Sequence, residues 1–277
     1  MTTTGFTLLV ALGSLLAGLL GALTGLGGGV VIVPMLTLLF GVDFRYAVGA
    51  SLVSVIATSS GAAAAYVRQG FTNIRVGMFL EVATTVGAVI GASLAGLVST
   101  SLLGIVLGLV LLYSAFVASR PRQEHIVGTR DPLAVRLRLD GTYPSLDGER
   151  EYHVQRVPLG FGLMFGAGAL SGLLGIGSGA LKVLAMDQAM CLPFKVSTTT
   201  SNFMIGVTAA ASAGIYLARG YIDPGIAMPV MLGVLAGSTV GARVLTRTRS
   251  AALRTVFALV IAVLAIQMIL HGVAGRF

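Results

Sequence analysis

Very few side chains in this chain combine chemical reactivity with an apolar setting. Lys182 stands in the run "GALKVLAM", three residues after Gly179. An ammonium group is costly inside hydrocarbon, so this position calls for a cavity, an anion or a partner such as Asp187. A snorkelling lysine that reaches an interface is the alternative. The Lys182–Asp187 spacing of five is poor for a pair on one helix, which favours a ligand or an interhelical partner. Glu81 lies several residues into the apolar stretch 76–98 and suits either a coupling proton or a pair with Arg75. Ser51 and the run "STTTSN" (197–202), with Ser201 and Asn202, put hydroxyls and an amide at the start of apolar segments. Such groups serve as donors to oxyanions or as glue between helices. Two glycine clusters precede them. "GLGGG" holds Gly25, Gly27, Gly28 and Gly29, and "GIGSG" holds Gly175, Gly177, Ser178 and Gly179.

The elements that position these residues follow from composition. The 277 residues are 56% hydrophobic and 10% charged, with mean hydropathy +0.95. Soluble domains carry about 25% charged residues, so ten acids and eighteen bases cannot coat a globule of this size. The solvent for most of the surface is therefore lipid. Abundant glycine (38) suits close helix packing in a bilayer. The net charge of +8 sits at segment ends and reads as membrane anchoring, not nucleic-acid binding. Cys191, the single cysteine, excludes an internal disulfide and a cysteine metal cage. Residues 5–23 lack a basic leader and an A-x-A site and are expected to be a mature span.

Slid against itself, the sequence matches without gaps at an offset of 150. Gly25, Gly27 and Gly29 meet Gly175, Gly177 and Gly179. Phe44-Arg45 meets Phe194-Lys195, Ser51 meets Ser201, Tyr66 meets Tyr216, and "GAVIGA" (87–92) meets "GSTVGA" (237–242). Several spaced glycines and polar positions in one register make two related halves, 5–118 and 158–272. Between them, 119–157 carries seven arginines and six acids and is extramembrane. Its "AVRLRLDGTYPSLDGEREYHV" alternates around Asp-Gly pairs, the pattern of a small β-hairpin; a solvated linker remains the alternative. His125 and His153 read as isolated, solvated histidines.

Clear apolar spans are 47–67, 76–98, 101–119, 197–218, 224–246 and 250–271. The segments 6–40 and 158–191 are each too long for one crossing, since 35 helical residues would reach about 52 Å against a core of about 30 Å. Each is one overlong helix or two pieces meeting at the glycines, giving eight or ten segments. Ten segments place Arg68, Arg75, the connector arginines, Lys195, Arg243, Arg247, Arg249 and Arg254 on one side, fourteen bases against three (Arg45, Arg219, Arg276). Eight segments give eleven against six. The positive-inside rule selects the sharper split. The expected fold is thus all-α and polytopic, in two inverted halves of five segments: eight full spans plus short or broken helices at the glycine turns. The connector is cytoplasmic and both termini lie outside.

Non-helical backbone at membrane depth survives only when buried in protein or lining a cavity. Secondary transporters aim the ends of broken helices at anionic substrates. Two turns in inverted halves would converge on one axis. Glycines that merely allow tight helix packing are the competing account, and Gly87-x-x-x-Gly91 and Gly237-x-x-x-Gly241 suit internal packing or a homo-oligomer face equally.

"GALTGLGGGVVIVPML" followed by "YAVGASL" resembles the TauE/SafE sulfite exporter family, also called the 4-toluene sulfonate uptake permease family. Its duplicated half has a Gly-rich turn, a proline shortly after, and an A-x-G-[TA]-S-like start to the next span. The first half shows Gly25–Gly29, Pro34 and Ala47–Ser51. The second shows Gly175–Gly179 and Ser197–Ser201, with Leu184 in place of the proline. The resemblance implies a multi-pass transporter of the prokaryotic cell membrane carrying sulfite, sulfonates such as sulfoacetate, or related organosulfur anions, with proton coupling. The connector lies outside it. From the residues, a binding set of the two glycine clusters, Ser51, Ser201, Asn202 and Lys182 is expected, with Glu81 as coupling candidate. No cofactor, metal or catalytic residue is expected. An anion channel is the first rival. An intramembrane enzyme is the second, and H-E-x-x-H, G-x-S-x-G and a Walker motif are all absent from the sequence.

Overall fold

The computed structural model describes residues 3–24, 28–68, 70–119, 131–145, 148–245 and 250–277. Apolar runs satisfy their own backbone by coiling, and the chain is dominated by helices. The first half supplies α1 (Thr3–Thr24), α2 (Gly29–Pro34), α3 (Phe44–Arg68), α4 (Ile74–Leu94) and α5 (Thr100–Ser119). The connector contains α6 (Pro132–Arg136) and strands β1 (Gly141–Ser145) and β2 (Gly148–Tyr152). The second half supplies α7 (Val157–Leu174), α8 (Gly179–Leu184), α9 (Phe194–Ala218), α10 (Pro224–Leu245) and α11 (Ser250–Val273). Helices α2 and α8 each continue as a wider π-helical turn, Met35–Leu39 and Ala185–Ala189. Each such unit of eleven residues reaches about 16 Å, half the depth of a hydrocarbon core.

Among the described residues, α4, α7 and α9 are long and apolar enough, by length and composition, to cross a membrane. Leu8, Leu12, Leu16, Leu97, Met78 and Val82 point outward, where only lipid tolerates so much apolar surface. From α2 to α5, each helix begins 150 residues before its counterpart: Gly29 and Gly179, Phe44 and Phe194, Ile74 and Pro224, Thr100 and Ser250. Packing follows the same exchange. Helix α1 lies on α10 as α7 lies on α4, α3 pairs with α9, and α5 pairs with α11. The α1–α10 and α4–α7 contacts are backbone-close. A Cβ on Gly91 would stand 2.0 Å from the Ala169 carbonyl oxygen, and one on Gly237 would stand 1.9 Å from that of Leu15. Gly87, Gly91 and Gly237 therefore serve internal packing.

In the connector, Asp131 caps α6 by accepting from Leu133 N at 2.9 Å, and its other oxygen accepts from Val157 N at 3.1 Å. The strands pair antiparallel with Tyr143 opposite Arg150. Ala134, Leu139, Tyr152 and Val154 share a core with Val76 and Leu80 of α4, Met186 and Met190 around the end of α8, and Val196 of α9. Asn73, which caps α4, also donates to Leu139 O and Tyr152 Oη at 2.8 Å each. Burial pushes the Tyr152 phenol up to about 12, opposed by the Asn73 hydrogen bond and aided by Asp140. His153 is not isolated as the sequence suggested, because its Nδ1 lies 3.3 Å from Asp140 Oδ2. His125 lies outside the described residues.

The bundle has two ends. At one, Arg45 reaches the Val98 carbonyl at 3.4 Å and Tyr221 Oη at 3.2 Å, Arg219 caps the end of α4 through Ala92 O and Ser93 O, and Thr100 Oγ1 donates to Phe277 O. At the other, Asn73 N donates to Thr200 Oγ1 at 3.1 Å and Gln155 N donates to Met190 O at 3.0 Å, beneath the connector.

Candidate functional site

Helix α7 stops where glycine lets the chain turn left-handed. Gly175 (φ 67°), Gly177 (φ 70°) and Ser178 (φ 45°) all adopt positive φ, and α8 restarts at Gly179. Positive φ is nearly free for glycine and strained for serine. Residues 175–180 are all buried, so this non-helical backbone is sealed in protein. The start of α2 meets it, since a Cβ on Gly29 would lie 3.3 Å from Ile176 O, 2.9 Å from Ser51 Oγ and 2.8 Å from Val55 Cγ2. Gly25 and Gly27 lie outside the described residues.

Ser51 and Ser201 grip this backbone. Ser51 Oγ donates to Gly175 O at 2.7 Å, with Gly29 O at 3.4 Å, and Ser201 Oγ donates to Gly179 O at 3.2 Å. Their hydroxyl protons are spent on backbone carbonyls, so in this arrangement they hold the turns in shape. Asn202, next to Ser201 on α9, is buried. Ser178 Oγ is buried on the turn without a hydrogen-bond partner.

One turn into α8, Lys182 is 0% exposed. Snorkelling is excluded. Its Nζ donates to Thr208 Oγ1 of α9. That hydroxyl lies 2.7 Å from Glu81 Oε1 of α4 and 3.1 Å from Met204 O, and Thr85 Oγ1 donates to the same Glu81 oxygen at 3.1 Å. Lys182 Nζ and Glu81 Oε2 stand 3.9 Å apart, an ion pair too long for a hydrogen bond. Glu81 Oε2 is buried and has no hydrogen-bond partner. Glu81 therefore faces Lys182 across the two halves instead of Arg75, whose guanidinium lies 3.5 Å from Arg138 O in the connector. Six residues along a helix rotate a side chain by about 240°, which puts Arg75 and Glu81 on different faces.

Sequence reasoning missed Thr208 as the bridge. A threonine in an apolar helix ordinarily bonds its own preceding turn, as this one also does toward Met204 O. The available signal was spacing: Thr208 is seven residues after Ser201 and so on the same face of α9. Among the described residues no group of three or more His, Cys, Asp or Glu could hold a metal ion.

A buried ammonium joined to a carboxylate through one hydroxyl, on the short helix that follows the 175–178 turn, can bind an anion and exchange a proton. Comparisons with known proteins agree with a transport role. The family described as sulfite exporter TauE/SafE matches residues 10–268. The chain is 26% identical over 275 residues to the probable membrane transporter protein YunE of Bacillus subtilis, covering 97% of this chain and 98% of that one. It is also 26% identical to the probable membrane transporter protein YdhB of the same organism, over 85% of this chain and 89% of that one. A probable membrane transporter protein of Xylella fastidiosa is 26% identical over 95% of each chain. No solved structure matches. The protein is embedded in the lipid bilayer, handles a small-molecule substrate, and is not an enzyme. The chain belongs to the TauE/SafE sulfite exporter family.

Proposed function

We propose that the protein is a secondary transporter of small sulfur-containing oxyanions, such as sulfite and sulfonates including sulfoacetate, working by alternating access with proton coupling. The observation that carries this reading is Lys182: fully buried, on the short helix that follows the 175–178 turn, and held to its carboxylate at 3.9 Å. A sulfur oxyanion offers the ammonium a closer, multidentate partner. Ser178, Asn202 and the backbone of Gly28, Gly29, Gly175, Gly177 and Gly179 complete the anion's surroundings, with Gly25 and Gly27 their counterparts in the other half. Ser51 and Ser201 hold the turns. Glu81, once released by Lys182, carries the coupling proton, and Thr208 passes between the two partners.

The transport path runs through eight full crossings and two half-length helices in inverted halves. In support, Arg45 opens α3 at one end of the bundle, while its counterpart Lys195 opens α9 at the connector end. With the connector cytoplasmic and the termini outside, the protein sits in the prokaryotic cell membrane with its basic end inward. Export of a dianion is favoured by an inside-negative potential, by about 2.3 kcal/mol per charge per 100 mV, and uptake needs the proton.

The test is the thermal stability of purified protein with sulfite, thiosulfate, sulfate, sulfoacetate, taurine and an unrelated carboxylate, repeated in Lys182→Ala. A shift confined to sulfur oxyanions and abolished in the variant supports the reading. Equal shifts with every anion, or shifts that survive the substitution, contradict it.

A further inference from the structure

Two contacts remote from Lys182 obey the 150-residue register. Arg45, the second residue of α3, lies over the Tyr221 ring, its Cζ 5.6 Å from the centroid. Lys195, the second residue of α9, lies over the Phe71 ring, its Nζ 5.7 Å from the centroid. Both members match, position 45 with 195 and position 71 with 221. Each contact takes its cation from one half and its ring from the other. They also sit at opposite ends of the bundle, Arg45 beside Val98 and Lys195 at the connector end.

The two contacts are unequally made. Arg45 is half-buried, bonds Tyr221 Oη at 3.2 Å, and reaches Val98 O and Gly96 O at 3.4 and 3.5 Å. Tyr221 is in turn braced by the rings of Tyr46 at 5.8 Å and Tyr216 at 6.2 Å. Lys195 is exposed, and its ammonium lies over the Phe71 ring. Each cation rides on a helix tied to the same turn. Arg45 shares α3 with Ser51, which bonds Gly175 O, and Lys195 shares α9 with Ser201, which bonds Gly179 O, so the segment 175–179 links the two ends.

We infer that Arg45–Tyr221 and Lys195–Phe71 are matched gates at the two ends of the transport path and that they close in alternation, the Arg45 gate being the more firmly latched of the two here. A cation held by a ring suits an anion path, because it draws anions to the mouth and can trade the ring for one of them. The inference rests on the transporter reading only in placing a path between the two ends; the identity of the anion does not enter.

The test uses the full chain in liposomes on a Cys191→Ser background, with crosslinkable pairs F71C/K195C or R45C/Y221C. If the gates alternate, Tyr221→Ala loosens the first end and speeds F71C/K195C crosslinking by about fivefold or more, the low end of ordinary coupling between sites. Phe71→Ala does the same for R45C/Y221C. Arg45→Lys, which keeps a cation over the ring, leaves the F71C/K195C rate near that of the parent. Unchanged rates, or rates at both ends that rise together, overturn the gates. Sulfite flux that persists with either pair crosslinked overturns them too. Reciprocal crosslinking in a protein that moves no sulfur anion upholds the gates and overturns the substrate reading instead.

Discussion

Removing one member of the Lys182–Glu81 pair should damage the protein more than removing both. At 3.9 Å and an effective dielectric of about 20, opposite unit charges attract by roughly 4 kcal/mol. Lys182→Met leaves a buried carboxylate with the Thr85 and Thr208 hydroxyls but no counter-charge, and Glu81→Gln leaves a buried ammonium without one. Each substitution nearly preserves shape, so packing changes little. Breaking a buried pair by taking one partner costs about 3–5 kcal/mol, whereas replacing both with neutral groups of similar volume is often close to neutral. The double variant is therefore expected within about 1–2 kcal/mol of the parent, with a coupling energy of about 4–9 kcal/mol. The assay is denaturant or thermal unfolding of the four proteins in one detergent. A double variant destabilised by the sum of the two single effects would refute the reasoning, because Lys182 and Glu81 would then be acting independently.

Other consequences follow from the packing. Gly91→Ala places a Cβ 2.0 Å from Ala169 O, so α4 and α7 must separate, at a cost of about 1–3 kcal/mol or more seen as a lowered unfolding midpoint. Ser51→Ala leaves the buried Gly175 carbonyl without its 2.7 Å donor and should cost about 1–3 kcal/mol, while Ser60→Ala, on the exposed face of the same helix, should cost under about 0.5 kcal/mol. The folded state holds Tyr152 protonated to about pH 12, above its ordinary value near 10. The resulting stabilisation of the connector is complete below about pH 10 and is lost as pH rises toward 12. Protection of residues 131–156, taken relative to the base-catalysed intrinsic exchange rate at each pH, should therefore fall across that window in the parent but not in Tyr152→Phe.

The sequence disclosed most of what is local or periodic. The glycine clusters, the 150-residue register and the overlong segments together point to short or broken helices at the glycine turns, and short helices do begin at Gly29 and Gly179. What stayed hidden depends on which helix faces which. Glu81 and Arg75 are neighbours in sequence, yet the rotation of α4 separates them and turns Glu81 toward a residue from the other half. A signal for that contact was nonetheless present. Lys182 stands where the first half has Ile32 and Glu81 where the second half has Met231, so two charges set at apolar positions of the repeat are opposite in sign. Charges this costly in hydrocarbon have reason to find each other. Ser51 and Ser201 suit a ligand or interhelical glue by residue type, and long-range packing commits their hydroxyls to the backbone of Gly175 and Gly179.

The most direct test of the central claim is sulfite counterflow in proteoliposomes holding the parent protein or Lys182→Met. The account predicts that internal unlabelled sulfite drives saturable, transient accumulation of external radiolabelled sulfite, and that the substitution abolishes it. Non-saturating flux without exchange would make the protein an anion channel. Counterflow unaffected by Lys182→Met would contradict the site proposed at the glycine turns.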